Sequence, residues 1–149
     1  MTTRALIIDD HAVVRSGIRR ALETRGEILV FEAATKAEAL AQIAHVSPQL
    51  LIIDINLPDG SGLEVVNWVR TISAEMAIVV LTFNESDDFL LAAMNAGASA
   101  YVNKTAPQFL PAGFNKYKVS AQRIDYYKRN FRKWTNFRSN GNLSSKVFY

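Results

Sequence analysis

Hydrophobic positions in the first hundred residues follow two alternating patterns. Five short stretches are almost continuously apolar and rich in Ile, Val and Leu, and they occupy residues 4–10 (RALIIDD), 28–34 (ILVFEAA), 50–57 (LLIIDINL), 76–82 (MAIVVLT) and 99–104 (SAYVNK). Runs of this length and composition predict β-strands that are buried on both faces. The segments between them repeat apolar residues three and four positions apart, which predicts amphipathic helices packed on the sheet.

Two of the helix starts are marked by a capping pattern. Thr35 has Glu38 three positions later, and Ser61 has Glu64 three positions later. A hydroxyl residue followed in this way by glutamate is typical of a capping box at a helix N-terminus. We therefore expect helices to begin directly after Thr35 and after Ser61.

Strands that alternate with helices predict an α/β fold with a parallel sheet. With right-handed crossovers, five such strands form a flavodoxin-like, doubly wound, open sheet with helices on both faces. Ligands of such sheets bind outside the carboxyl ends of the strands, where the strand order reverses. We therefore expect the functional side chains at that edge.

Polar side chains end four of the five predicted strands. They are Asp9 and Asp10 after the first, Asp54 and Asn56 on the third, Thr82 on the fourth and Lys104 on the fifth. Three carboxylates at one edge repel one another unless a cation neutralises them, and hard oxygen donors favour Mg²⁺. Because Mg²⁺ takes only one or two carboxylates directly and keeps several waters, a phosphoryl oxygen can complete its shell.

The same set has the parts needed for phosphoryl transfer. Asp54 is a carboxylate nucleophile, the Lys104 ammonium neutralises charge on the transferred group, and the Thr82 hydroxyl donates a hydrogen bond to a phosphoryl oxygen. Taken singly, an aspartate at a strand end is more often a turn or cap residue, and a lysine more often a solvated charge. It is the combination at the ends of four strands that favours a phosphate site.

Composition narrows the remaining classes. The chain has 149 residues, no cysteine and two histidines, so thiolate zinc sites and histidine-rich metal sites are not expected. We assign no chemistry to His11, expected at a helix start, or to His45, expected at a helix end. The glycines at 60 and 62 are better explained by a tight turn into a helix than by phosphate binding. Without a long apolar run or a signal-peptide pattern, we expect a soluble, cytoplasmic protein with no membrane partner.

Charge divides the chain in two. Residues 1–107 carry eight Lys and Arg against thirteen Asp and Glu, whereas residues 108–149 carry nine against one. We therefore predict a domain over residues 1–107, with an extension to about residue 120 left open, and a basic, aromatic-rich tail over 108–149 without a recognisable domain.

Four stretches carry a family resemblance over roughly residues 1–107. Residues 7–10 (IIDD), 50–64 (LLIIDINLPDGSGLE), 79–82 (VVLT) and 98–104 (ASAYVNK) resemble the receiver domains of bacterial two-component response regulators. The likeness is strongest to receivers of the LuxR/NarL-type subfamily, which normally carry a C-terminal helix-turn-helix. It implies a phosphorylation-dependent signalling switch rather than a metabolic enzyme, a sensor histidine kinase as partner, and a homodimer that phosphorylation could promote.

The resemblance also assigns roles. It makes Asp54 the phospho-acceptor, with Asp10 a direct Mg²⁺ ligand, Asp9 a ligand largely through water and Asn56 a ligand through its backbone carbonyl. Lys104 would contact the phosphate. Thr82 and Tyr101 would form the switch pair, in which Tyr101 rotates as Thr82 moves towards the phosphate; plain core packing is the alternative for Tyr101. Phe83 departs from the family, where a small residue commonly follows the switch threonine.

The tail leaves the output open. Pro111 and Gly113 interrupt the expected fifth helix, and the 42 residues after Pro107 are too few for a LuxR-type DNA-binding domain of roughly sixty residues. Basic and aromatic residues alternate over 123–138 (RIDYYKRNFRKWTNFR), as in a nucleic-acid contact, but a shifted or truncated reading frame explains the abrupt change better. A DNA-binding transcriptional regulator with a truncated or replaced output domain is therefore the alternative function.

Two further alternatives concern the acidic site itself. Phosphatases of the haloacid-dehalogenase type place a second carboxylate two residues after the nucleophile, whereas this chain has Asn56 there, which disfavours rapid turnover. A receiver-like module that binds partners without phosphorylation would not need the complete acidic set.

Overall fold

The computed structural model describes residues 2–24, 27–83 and 87–104. Its strands are Thr3–Ile8 (β1), Ile28–Ala33 (β2), Leu50–Asp54 (β3), Asn56–Leu57 (β4), Gly60–Ser61 (β5), Ala77–Thr82 (β6) and Ala100–Asn103 (β7). The helices are Ala12–Glu23 (α1), Lys36–Val46 (α2), Gly62–Ile72 (α3) and Asp87–Ala96 (α4). The predicted tail over 108–149 and the interrupted fifth helix lie outside the described residues.

The main sheet has five parallel strands in the order β2-β1-β3-β6-β7. The chain moves outward from β1 to β2 and then crosses back to β3 on the other side of β1. The order therefore reverses between β1 and β3, and the predicted doubly wound α/β sheet is confirmed. Since all five strands are parallel, their carboxyl ends meet at one edge, which we call the rim.

Alternate residues of each central strand feed two separate cores. In β1, Leu6 and Ile8 pack with apolar residues of α2, α3 and α4 on one face, while Ala5 and Ile7 pack with α1 on the other. All four side chains are fully buried. This double burial is why the strands are continuous apolar runs and do not alternate with polar residues. No helix in the described residues is long and apolar enough to cross a membrane.

One predicted strand was wrong in extent. Residues 50–57 do not form a single strand: β3 ends at Asp54, and Asn56–Leu57 pairs instead with Gly60–Ser61 in a two-stranded antiparallel hairpin. Pro58 and Asp59 form the turn of this hairpin, so the chain bends away from the sheet one residue after Asp54. The carboxylate therefore ends its strand at the rim.

Gly62 fits closely beneath that strand end. Its N–H donates to the carbonyl of Ile55 over 2.7 Å, and a Cβ at this position would lie 2.0 Å from the backbone oxygen of Asp54. Only glycine permits this approach. The tight turn predicted for the two glycines of this segment is thus confirmed, and it packs against the backbone of Asp54.

The two predicted helix starts are confirmed with different partners. The Thr35 hydroxyl accepts the N–H of Glu38, and the Ser61 hydroxyl accepts the N–H of Leu63. Two more N–H groups in the first turn of α2 are capped by a residue distant in sequence: the Asp59 carboxylate accepts those of Lys36 over 2.6 Å and Ala37 over 3.0 Å. The hairpin beside Asp54 is thereby tied to α2.

Candidate functional site

The rim gathers most of the buried polar side chains of the described residues. Asp9, Asp54, Thr82 and Lys104 are each less than a tenth exposed, whereas Asp10 lies at the surface. They follow or end β1, β3, β6 and β7, so the strand ends that the sequence singled out do converge. A buried polar group is costly unless it is hydrogen-bonded, so these side chains are expected to contact one another.

Lys104 is held at the centre of this cluster by its backbone and by two carboxylates. Its N–H donates to the carbonyl of Thr82 over 2.7 Å, continuing the pairing of β6 with β7. Its Nζ lies 2.9 Å from Oδ2 of Asp54 and also donates to the Asp9 carboxylate. The ammonium therefore bridges the first and third strands of the chain.

Asp54 experiences two opposing influences. Burial raises the pKa of its carboxyl above the ordinary value of 3.8, and the hydrogen bond and charge of Lys104 act against that rise. The N–H of Asn56 also donates to its Oδ1 over 3.2 Å. Desolvation thus favours the neutral form of the Asp54 carboxyl group, and Lys104 favours its ionised form.

His11 is a member of the site that the sequence did not reveal. It precedes α1, as expected, but its ring turns into the acidic cluster: Nδ1 lies 2.8 Å from Oδ1 of Asp9, 2.9 Å from Oδ1 of Asp10 and 4.0 Å from Oδ2 of Asp54. Its position directly after the acidic pair was the available signal. The donor set is consequently not restricted to oxygen. His45, in the last turn of α2, is exposed.

These residues fit a divalent cation. One ligand atom from each of Asp9, Asp10, His11 and Asp54 lies within 4.8 Å of the others. Three carboxylates so close together are stable only with positive charge nearby, and the Lys104 ammonium supplies such a charge to Asp9 and Asp54. The acidic cluster is therefore of the kind that can hold a hard divalent ion, and Asp10 brings it to the surface.

The residues assigned to the switch lie on neighbouring strands. Thr82 ends β6 and is fully buried, and Tyr101, on β7, is buried in the core that also contains α2, α3 and α4. The register pairs Tyr101 with Val80, two residues before Thr82. Both side chains have contacts within the fold, and their joint movement stays a prediction.

Phe83 covers one side of the cluster. The His11 and Phe83 rings form a T-shaped pair with 5.9 Å between centroids, and Lys104 Nζ lies 4.9 Å from the Phe83 centroid. The phenyl ring is half exposed. The departure from a small residue therefore places an apolar surface next to the two nitrogen-bearing side chains of the site.

Comparison with known proteins agrees with this geometry. The response regulator receiver domain family matches residues 5–110. The chain is 36% identical over 102 residues to the DNA-binding transcriptional activator DevR/DosR of Mycobacterium tuberculosis, covering 68% of this chain and 47% of that protein. The chain spans about half the length of the curated relatives it matches.

Solved structures give the same result. A LuxR-family two-component response regulator from Aurantimonas sp. SI85-9A1 superposes with a TM-score of 0.69 and 33% identity, over 78% of this chain and 81% of that one. A CheY-like receiver domain protein from Methanospirillum hungatei gives 0.74 and 28%, over 87% and 99%. The chain belongs to the response regulator receiver domain family of two-component signalling proteins, and not to a family of metabolic enzymes.

Proposed function

We propose that this receiver accepts a phosphoryl group on Asp54 from a phosphohistidine of a sensor histidine kinase, with Mg²⁺ at the acidic cluster, and acts as a cytoplasmic signalling switch. The observation that supports this most directly is the pairing of a buried strand-end carboxylate with a buried ammonium, 2.9 Å between Asp54 Oδ2 and Lys104 Nζ. An anion transferred to Asp54 would arrive beside that positive charge.

The chemistry balances with the groups present. An Asp54 carboxylate oxygen forms a bond to phosphorus as the bond from phosphorus to the donor imidazole nitrogen breaks. The nitrogen keeps the electron pair and takes a proton from solvent, and an acyl phosphate results. Lys104 stabilises the charge on the phosphoryl oxygens, and Mg²⁺ held by Asp10 and Asp54, with the Asn56 carbonyl, would add charge neutralisation from the other side.

The proposed switch uses Thr82 and Tyr101. A phosphoryl group on Asp54 offers oxygen acceptors next to β6, and the Thr82 hydroxyl turns to donate to one of them. The buried Tyr101 ring then rotates into the space that Thr82 vacates. Both residues already lie in adjacent strands, which supports the coupling.

Incubation with Mg²⁺ and acetyl phosphate, followed by intact-mass analysis, tests the acceptor. Wild type should gain one phosphoryl group, Asp54→Asn none, and Asp88→Asn, an exposed carboxylate of α4, as much as wild type. A phosphorylated Asp54→Asn protein, or a folded wild type that stays unmodified, would reject the proposal. In the same samples, phosphorylation should shift the NMR signals of Tyr101, and Thr82→Ala should reduce that shift without preventing the mass gain.

A DNA-binding regulator is a second proposal, favoured by the name of the Mycobacterium relative. Its alignment covers less than half of that protein. The basic segment at 123–138 lies outside the described residues, so nucleic-acid contact through it, like a phosphorylation-dependent homodimer, stays a prediction.

A further inference from the structure

Helix capping does not explain the orientation of the His11 ring. His11 is the N-cap residue of α1, yet its side chain makes no capping hydrogen bond. Its Nδ1 instead contacts Asp9 and Asp10, and the Phe83 ring packs across it at an interplanar angle of 82°. The ring is therefore oriented by the acidic cluster and by a neighbouring aromatic residue.

Nδ1 of His11 lies close enough to the carboxylates to share an ion with them. It is 2.8 Å from Asp9 Oδ1 and 2.9 Å from Asp10 Oδ1, which is hydrogen-bond distance, and 4.0 Å from Asp54 Oδ2. Because one ligand atom from each of these four residues lies within 4.8 Å of the others, the ring could exchange its hydrogen bond to Asp9 for a bond to an ion held by the carboxylates.

We propose that Nδ1 of His11 is a direct ligand of the divalent ion and that it biases the site towards Mn²⁺ and Co²⁺ relative to Mg²⁺. Imidazole suits borderline transition metals, whereas Mg²⁺ prefers oxygen donors. An otherwise all-oxygen cluster would lack this bias. The inference rests on the metal site of the proposed function and names a ligand beyond its carboxylates.

Pulsed EPR of Mn²⁺ added to the full chain tests the ligand directly. The chain has two histidines, so labelling histidine with ¹⁵N marks only His11 and His45. We expect a ¹⁵N coupling from a directly bonded nitrogen in wild type, its loss in His11→Ser, and no change in His45→Ser. Serine is a good N-cap residue, so the substitution at position 11 retains the start of α1.

Affinities measured by calorimetry give the second readout. His11→Ser should weaken Mn²⁺ and Co²⁺ binding by roughly 10–100-fold, the range seen when groups that support a metal site are removed. Mg²⁺ binding should change by much less, and His45→Ser should alter none of the three.

The outcomes separate the two proposals. Mn²⁺ that binds without ¹⁵N coupling, or with equal affinity in His11→Ser, overturns the role of His11 and leaves phosphorylation of Asp54 intact. No Mn²⁺ binding by wild type overturns it as well. A clear ¹⁵N coupling in a protein that acetyl phosphate fails to modify would instead reject the proposed function alone.

Discussion

The rim and the surface of helices α2 and α3 both pair a lysine with carboxylates, but the pairs at the rim are buried and the pair at the surface is exposed. At the rim, Lys104 pairs with Asp9 and Asp54, and the three side chains are at most 3% exposed. At the start of α2, Lys36 pairs with Glu64, whose side chain is 60% exposed. Water screens the second pair and not the first, so a similar contact has very different consequences.

The contrast shows where charge is costly in this fold. Burial raises the pKa of Asp54, whereas the N–H groups of Lys36 and Ala37 lower the pKa of the exposed Asp59. A fold selected for stability alone would have apolar side chains at the rim, because buried ion pairs rarely improve on them. That the rim keeps its charges is consistent with a role in binding and chemistry.

Lys104→Met should have the largest effect. It leaves the buried carboxylates of Asp9 and Asp54 without their ammonium, and we expect a loss of about 3–5 kcal/mol in the free energy of unfolding by urea in the absence of metal. Lys36→Met is the matched control and should cost only a small part of that. Mg²⁺ should restore some stability to a poorly folded Lys104→Met protein. Equal losses in the two variants would contradict the comparison.

Alanine substitutions at two glycines, one at the rim and one on the surface of a helix, should sharpen the comparison. In Gly62→Ala, the new Cβ would meet the Asp54 carbonyl, and relief of that overlap should cost about 1–3 kcal/mol and displace the acceptor. A Cβ added to Gly17 of α1 would meet nothing within 4 Å, so Gly17→Ala should instead stabilise the helix by about 0.5–1 kcal/mol. Thermal unfolding of both variants measures the difference, and the same sign in both would refute it.

Replacing Asp54 or Asp59 by asparagine should have the smallest and most pH-dependent effects on stability. The contribution of Asp54 to stability is fully present below its ordinary pKa of 3.8 and is lost as pH rises through its raised pKa. In the presence of a chelator at neutral pH, Asp54→Asn should therefore stabilise the protein, and this gain should disappear on acidification.

Asp59 should behave in the opposite way. Its lowered pKa contributes stability above 3.8 that is lost as pH falls through the folded-state value, so Asp59→Asn should destabilise at neutral pH and have less effect in acid. Urea titrations between pH 3 and 7 follow both variants, and parallel pH profiles would argue against the assigned environments.

Local patterns predicted the sheet well because its strands are buried on both faces, as Leu50–Asp54 illustrates. They also placed Asp54 and Lys104 at one edge, since parallel strands align their carboxyl ends. The cap that Asp59 supplies to α2 depends on contacts across the fold, 22 and 23 positions apart, which sequence spacing does not encode. The His11 ring contacts its sequence neighbours Asp9 and Asp10, but the side-chain rotamer that turns it towards them is not encoded by the pattern. Neither feature was predicted.

The contact between Lys104 and Asp9 joins positions 95 apart in the chain. Closing so long a loop is entropically costly and comes late relative to local structure. During synthesis, the first strand and the acceptor strand emerge well before Lys104 does. A nascent chain therefore has the acidic residues without their ammonium, and the complete site exists only after β7 and Lys104 have left the ribosome and β7 has joined the sheet.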